Sequence, residues 1–234
     1  MPTQTLLSWS GGKDSALALH HARRDPRYHV AHLLTSVNAH YERVSMHGVR
    51  VALLEAQAAR IGLPLTQVRL PETPSMAEYD VAQQTAFAGL RARGVEAAFY
   101  GDIFLEDLRA YREEQLARAG LRGEFPPWRR PGTELLREFL DLGFRAIIVC
   151  VNERWLDASF CGRLLDADFL RDLPPGVDPC GENGEYHSFV FDAPYFSAPI
   201  LFEKDELVRR PYLVPPGSPL AGAAFWYQDL LPAG

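Results

Sequence analysis

The sequence predicts an α/β protein in which a doubly wound parallel sheet is followed by a smaller α+β lobe. Two observations predict the sheet. Short apolar runs alternate with helical patterns through the first two-thirds of the chain, and a glycine-rich turn follows the first run. A third observation predicts the lobe, because the chain beyond residue 174 is rich in proline and glycine.

Four strands and three helices are expected before residue 101. The strands are predicted at residues 5–9, 29–37, 65–70 and 97–100, and the helices at residues 14–24, 49–61 and 76–93. Right-handed crossovers bring the loops after such strands to one edge of the sheet. We therefore expect residues 10–15, 38–48 and 101–102 to converge there.

The pattern changes after residue 101. Helices are predicted at residues 107–120 and 134–142, a loop at 122–132, a buried strand at 146–151 and a β-like run at 186–191. We place the boundary near residue 120. The chain is then divided into a nucleotide-binding domain, residues 1–120, and a smaller substrate or catalytic lobe, residues 121–234.

Composition excludes several classes of protein. The net charge of −6 and the pI of about 5.7 disfavour a nucleic-acid partner. The three cysteines form no C-x-x-C pair, so neither a zinc ribbon nor a redox pair is indicated. No apolar run approaches the roughly 18 residues of a membrane span, and no leader is evident at the N-terminus. We expect a cytoplasmic protein with no membrane partner.

The turn after the first strand has the composition of a phosphate-binding loop. It consists of Ser10, Gly11, Gly12, Lys13, Asp14 and Ser15. Adjacent glycines allow a sharp turn and close approach to a ligand, and the following helix directs its positive end at the same place. The spacing is not that of a Walker A loop. Asp14 adds negative charge, which a Mg²⁺ ion between this carboxylate and the phosphates would offset.

This six-residue run resembles the S-G-G-x-D-S signature of the PP-loop ATP pyrophosphatases. The resemblance implies a Rossmann-like domain of the adenine-nucleotide alpha-hydrolase type. It also implies that ATP is cleaved to AMP and pyrophosphate while a carbonyl or carboxylate is adenylated.

A second resemblance narrows the chemistry. Residues 180–194, with Gly181-Glu182-Asn183-Gly184-Glu185 at their start, resemble the C-terminal motif of the diphthine–ammonia ligase (diphthamide synthetase) family. This chain departs from the motif at Asn183 and at His187-Ser188. The resemblance implies an amide-forming ligase that uses ATP, Mg²⁺ and ammonia on a carboxylate acceptor, either protein-bound diphthine or a small molecule.

The candidate site residues follow from these motifs. Glu182, Glu185 and Asp14 are the candidate catalytic groups, and Asp14 is also the candidate Mg²⁺ ligand. The candidate ATP and pyrophosphate ligands are the six loop residues together with His47, Gly101 and Asp102. The segments Ser45-Met46-His47-Gly48 and Gly101-Asp102-Ile103 resemble two further loops of the same family. For the two glutamates the alternative is a solvated acidic turn. For Asp102 the alternative is a helix cap, and for His47 it is a solvated loop histidine.

Other assignments stay open at this stage. Cys180 is a weak candidate for a nucleophile because no paired histidine is evident. Arg109 and Arg112 could bind phosphate, but surface charge on a helix is the expected role. A tRNA-modifying thiolase or lysidine-type synthetase would use the same ATP chemistry, and a universal-stress-type protein would bind the nucleotide without ligation. The sequence also leaves open whether the chain forms a homodimer.

Overall fold

The computed structural model describes residues 1–211 and 222–233. Ten strands and six helices lie in these residues. The strands are β1 (Thr3–Ser8), β2 (Tyr28–Asn38), β3 (Arg43–Val44), β4 (Leu65–Leu70), β5 (Ala97–Phe99), β6 (Arg122–Glu124), β7 (Arg145–Asn152), β8 (Tyr186–Asp192), β9 (Phe202–Pro211) and β10 (Ala224–Pro232). The helices are α1 (Lys13–Arg24), α2 (Val51–Ile61), α3 (Met76–Arg91), α4 (Glu106–Arg118), α5 (Gly132–Asp141) and α6 (Ala167–Asp172).

The first sheet has the predicted doubly wound topology. Strands β4, β2, β1, β5 and β6 lie side by side in that order and are all parallel. The short strand β3 pairs antiparallel with the end of β2. The chain runs outward from β1 to β4 and then returns to β5 on the other side. The strand order therefore reverses between β1 and β5, which is where open α/β sheets bind ligands.

Local sequence explains most of these elements. Helix α3 begins with a reciprocal capping box in which Ser75 Oγ accepts from the Glu78 backbone N–H and Glu78 accepts from the Ser75 N–H. Residues 122–124 were expected to be loop but form β6, because they pair with β5 at the edge of the sheet. The predicted division near residue 120 stays a prediction.

The second sheet is antiparallel and has the order β8-β7-β10-β9. Strands β9 and β10 were not predicted. Most residues of β9 are exposed, so this edge strand carries charged side chains without a buried apolar face. Its conformation is determined by pairing with β10 and not by its own pattern.

One hydrophobic core joins the two sheets. Buried side chains of α1 and α2 pack in the same cluster as those of α5, β7 and β8, for example Leu17, Leu53, Phe139, Ile147 and Phe189. Strand β8 is therefore held directly against the turn after β1. No helix among the described residues is long and apolar enough to cross a membrane.

Candidate active site

The glycine loop lies at the point where the strand order of the first sheet reverses. Gly11 has a φ of 80°, which an L side chain rarely adopts. Ser10 and Ser15 approach each other, with their Oγ atoms 3.2 Å apart, and Ser15 Oγ donates to the Gly12 carbonyl at 2.9 Å. Helix α1 begins at Lys13 without a side-chain cap, so its positive end points into the loop. This arrangement suits a phosphate group.

Contacts from outside the loop hold it in place. The Gly11 carbonyl accepts from the Val190 backbone N–H at 2.9 Å, and Ser188 Oγ accepts from the Lys13 N–H at 3.1 Å. The side-chain amide of Gln57 donates to the carbonyls of Gly11 at 3.0 Å and of Val190 at 2.6 Å. Strand β8 and helix α2 thus fix the backbone before any ligand arrives.

Lys13 and Asp14 form a charge pair at the start of α1. Lys13 Nζ lies 2.7 Å and 3.0 Å from the two carboxylate oxygens of Asp14. The Lys13 side chain is buried, whereas that of Asp14 is 35% exposed. Burial opposes the charge of Lys13, but Asp14, Tyr186 and Cys180 together outweigh it and the pKa of Lys13 rises above its ordinary value. A fixed positive charge therefore stands beside the loop at neutral pH.

The turn after β5 packs against the same helix start. A Cβ atom at position 101 would lie 2.7 Å from the backbone carbon of Asp14, so only glycine permits this approach. Asp102 is buried, and its Oδ2 atom lies 2.6 Å from Nε of Arg112. Burial raises the pKa of the Asp102 carboxyl, with the Arg112 guanidinium acting in the opposite direction. The guanidinium of Arg112 also lies over the Tyr100 ring, at 4.4 Å.

Glu182 reaches the site from the turn before β8. Its Oε1 atom accepts from the Ile103 backbone N–H at 2.8 Å. Burial and the nearby Asp14 charge raise the pKa of Glu182 to about 7, although the Ile103 hydrogen bond acts in the opposite direction. A carboxyl group with this pKa can both accept and release a proton at neutral pH.

Glu185 lies in the same turn but has a different environment. Its carboxylate is buried and accepts from the backbone N–H groups of Asp178 at 3.1 Å and Asn183 at 2.9 Å. The Asn183 side-chain amide donates a third hydrogen bond at 3.1 Å. These bonds direct the Glu185 oxygens into the turn, whereas Glu182 lines the cavity.

His47 lies over the glycine loop, in the segment between β3 and α2. Its ring centroid is 4.4 Å from that of His187 on β8, and its Cε1 atom would lie 3.2 Å from a Cβ at position 12. Burial lowers the pKa of His47 to about 4, and the charge of Lys13 acts in the same direction. Burial also lowers the pKa of His187, to well below its usual value. Both imidazoles are therefore neutral at physiological pH.

These groups surround one cavity of about 200 Å³. The predicted site residues that line it are Ser10, Gly12, Lys13, Asp14, Ser15, His47, Gly101, Asp102 and Glu182. Gly11 and Glu185 are predicted site residues that do not line it. Their atoms instead shape the loop and the turn.

Several lining residues were not selected from the sequence. Arg112 was expected to be surface charge, yet its side chain is half-buried and lines the cavity beside Asp102. Ser188 and His187 line the cavity as well. The sequence could have indicated Gln57, because it is a polar residue within the apolar stripe of α2. Its side chain is fully buried behind the loop. No local pattern indicated the partners of Arg112.

Cys180 does not have the environment of a nucleophile. Its side chain is buried, and burial raises the pKa of the thiol to about 12. Its Sγ atom lies 3.4 Å from the Gly132 carbonyl. Because the thiolate is the nucleophilic form, this cysteine is expected to be inert.

The residues at the cavity can hold a divalent cation only if a bound ligand, such as the phosphates of a nucleotide, supplies further coordinating oxygens. Among the described residues, no group of three or more His, Cys, Asp or Glu side chains could hold a metal ion. Asp14 nevertheless offers a partly exposed carboxylate within the glycine loop itself. Mg²⁺ commonly uses one or two carboxylates together with substrate phosphates, so Asp14 fits that arrangement.

Two protein-family models together match most of the chain. The diphthamide synthase N-terminal domain matches residues 3–123, and the diphthamide synthase C-terminal domain matches residues 132–209. The diphthine–ammonia ligases of Bos taurus and Homo sapiens are each 33% identical to this chain, over 121 and 119 residues. That of Danio rerio is 32% identical over 119 residues.

These matches span about half of each protein. The alignment with the Bos taurus ligase covers 50% of this chain and 45% of the ligase, and that with the Homo sapiens ligase covers 49% and 45%. The Danio rerio alignment covers 49% of this chain and 47% of that protein.

Proposed function

The chain belongs to the diphthamide synthase family, and we propose that it is an ATP-dependent, amide-forming ligase similar to the diphthine–ammonia ligases. In the proposed reaction a carboxylate oxygen attacks the α-phosphorus of ATP, and pyrophosphate leaves. The nitrogen of ammonia then attacks the acyl carbon of the adenylate. AMP leaves, and the nitrogen gives up a proton.

One observation carries this proposal. The phosphate-binding loop and a carboxyl group with a pKa of about 7, that of Glu182, line the same cavity. A protein that only bound the nucleotide would have no need of a buried proton acceptor opposite the loop. A ligase has that need, because the attacking nitrogen must lose a proton as the amide forms.

The loop serves the first half-reaction. Lys13 keeps its positive charge beside the backbone N–H groups at the start of α1, where negative charge develops as pyrophosphate departs. The hydroxyl groups of Ser10 and Ser15 lie at the same place. Because β8 and Gln57 already hold the loop, its donors need little rearrangement on binding.

We propose that Asp14 takes part in holding Mg²⁺ together with the phosphates of ATP. When bound there, this ion would neutralise phosphate charge and align the phosphates. Asp14 is also a reason for the high pKa of Glu182, since two carboxyl groups near one another resist ionising together.

Glu182 serves the second half-reaction as the proton acceptor. Ile103 fixes its Oε1 atom, which leaves its other oxygen for the attacking nitrogen. Glu185 holds the turn that carries Glu182, and we assign it a positioning role. The names of the relatives favour diphthine as the acceptor carboxylate, with a small-molecule carboxylate as the alternative.

The decisive experiment combines nucleotide analysis with isotope incorporation. The purified protein is incubated with ATP, Mg²⁺, ¹⁵N-ammonium and a diphthine-bearing protein. We expect AMP and pyrophosphate as products and ¹⁵N in a new amide, detected by mass spectrometry. Accumulation of ADP would contradict the proposal. AMP formation without ¹⁵N in that protein would point to a small-molecule acceptor, and ATP binding without turnover would favour a nucleotide-binding protein.

A further inference from the structure

The segment that carries His47 has an unfavourable backbone. Glu42 and Met46 have φ values of 51° and 66°, which residues other than glycine adopt infrequently. Such conformations persist only where the surrounding structure holds them. The segment makes hydrogen bonds of its own, such as Val44 N–H to the Val49 carbonyl, and contacts from outside residues 42–50 add to them.

Asp229 on β10 makes polar contacts to both ends of the segment. Its Oδ1 atom accepts from Arg43 Nη1 at 2.8 Å and from Arg50 Nε at 3.1 Å. Its Oδ2 atom accepts from Arg43 Nη2 at 2.8 Å and from Arg50 Nη2 at 2.6 Å. One buried carboxylate thus forms two bidentate pairs, with one guanidinium at each end of the segment.

One contact within the segment and one from β10 reinforce this arrangement. Arg43 Nη1 also donates to the Gly48 carbonyl at 2.7 Å. The Tyr227 ring lies so close to Gly48 that a Cβ atom there would be 2.7 Å from its Cδ1 atom. Strand β10 therefore contacts the segment at its ends and next to His47.

We propose that Asp229 is a positioning residue for the active site: through Arg43 and Arg50 it holds residues 42–50 so that the His47 ring stays packed against that of His187. The effect on the reaction rests on the proposed function, whereas the effect on His47 does not. The C-terminal strand of the second sheet thereby becomes part of the nucleotide site, although Asp229 itself does not line the cavity.

The charge of Asp229 is essential to this arrangement. Burial acts to raise the pKa of Asp229, but the hydrogen bonds from the two guanidiniums hold it well below its usual range. The carboxylate stays ionised across the neutral range. An amide has one acceptor oxygen and cannot form two bidentate pairs, so Asp229→Asn would leave two arginines facing each other without their counterion.

The test is an NMR titration of the His47 ring in the Asp229→Asn variant, with His47→Gln used to assign the signal. The ring is surrounded by Lys13, His187 and the Ser188 backbone, and its pKa is about 4. If the segment is released, the ring becomes hydrated and its pKa rises toward the ordinary value of 6.5. Amide hydrogen exchange in residues 43–49 should accelerate as well.

Glu153→Gln is the matched control. Glu153 forms a bidentate pair with Arg209, with distances of 2.7 Å and 2.7 Å, on the exposed surface of the same sheet. The Glu153→Gln substitution also removes one negative charge from an ion pair, and it should leave the His47 titration unchanged. In Asp229→Glu, which keeps the carboxylate, the pKa of His47 should return part of the way to the wild-type value.

Activity supplies the second readout. In Asp229→Asn we expect KM for ATP to rise about tenfold or more, since displaced positioning groups have effects of this size. If Asp229→Asn changes the His47 titration but the wild-type protein shows no ligase activity, the proposed function is refuted and the positioning role is supported. An unchanged titration and unchanged exchange in folded Asp229→Asn would overturn the positioning role.

If Asp229→Asn does not fold, Arg43→Lys and Arg50→Lys replace it. Each keeps the charge but loses the bidentate geometry. Both should raise the pKa of His47, but by less than Asp229→Asn does. If neither raises it, the proposal is refuted.

Discussion

The substitution Glu182→Gln should stabilise the protein above neutral pH while it impairs turnover. Glutamine keeps the side-chain oxygen that accepts from the Ile103 N–H but carries no charge. The wild-type protein must ionise a carboxyl group in a buried site beside Asp14. Removal of that charge relieves the cost of ionisation, and it also removes the proposed proton acceptor.

The size of the stability effect follows from the pKa of Glu182. The native value is about 7 and the ordinary value is 4.5. Since each pKa unit corresponds to about 1.4 kcal/mol, the difference is at most about 3 kcal/mol. Below pH 4.5 the group is protonated in both the folded and the unfolded protein. As the pH rises toward 7 the unfolded chain loses this proton first, so the contribution of Glu182 to stability falls.

Urea denaturation of the wild type and of Glu182→Gln at about pH 4 and about pH 8 tests this reasoning. The variant should gain up to about 3 kcal/mol relative to the wild type at the higher pH and almost nothing at the lower pH. Glu203→Gln, at an exposed position on β9, is the control for loss of one surface charge. An equal difference between variant and wild type at both pH values would refute the elevated pKa.

The same variant separates the two half-reactions. We expect the rate of amide formation to fall about a hundredfold, the usual magnitude for loss of a general base. Affinity for ATP should be nearly unchanged, because Lys13 and the loop remain. Wild-type turnover in a folded Glu182→Gln protein would remove Glu182 from the mechanism.

Three further substitutions probe the site. Gly101→Ala should lower the free energy of unfolding by about 1–3 kcal/mol, since its Cβ would meet the Asp14 backbone at 2.7 Å; wild-type thermal stability would contradict this close approach. Glu185→Gln should destabilise the turn by about 1–3 kcal/mol by placing an N–H group against the donors of Asn183, with ATP affinity retained. Loss of nucleotide binding without loss of stability would instead return Glu185 to the site. Gly12→Val should abolish ATP binding in calorimetry while circular dichroism shows a folded protein, and unchanged affinity would exclude the loop as the phosphate site.

Strands β1, β2, β4 and β5 of the first sheet could be predicted because their signals are local. The strand at Leu65–Leu70 and the start of α3 at Met76 match the prediction, since apolar runs, the Ser75 cap and glycine stops act over a few residues. Strand β9 escaped prediction for the opposite reason. It is charged and mostly exposed, and only its pairing with β10 makes it a strand.

The candidate site divides in the same way. The candidate phosphate-binding loop is contiguous in sequence, because successive backbone N–H groups and a helix start must lie side by side to surround an anion. Its six residues were therefore identified without any tertiary information. The residues opposite the loop come from distant elements, and no local pattern specifies which of their side chains face it.

Glu182 and Glu185 illustrate the limit most clearly. Sequence alone identified both as members of one acidic turn and could not distinguish between them. Tertiary packing assigned them different environments: Ile103 and Asp14 adjoin Glu182, whereas Asn183 and other donors of the turn surround Glu185. The physical reason is that desolvation and neighbouring charge, which set the pKa of a carboxyl group, depend on atoms brought close by the fold and not on neighbours in sequence.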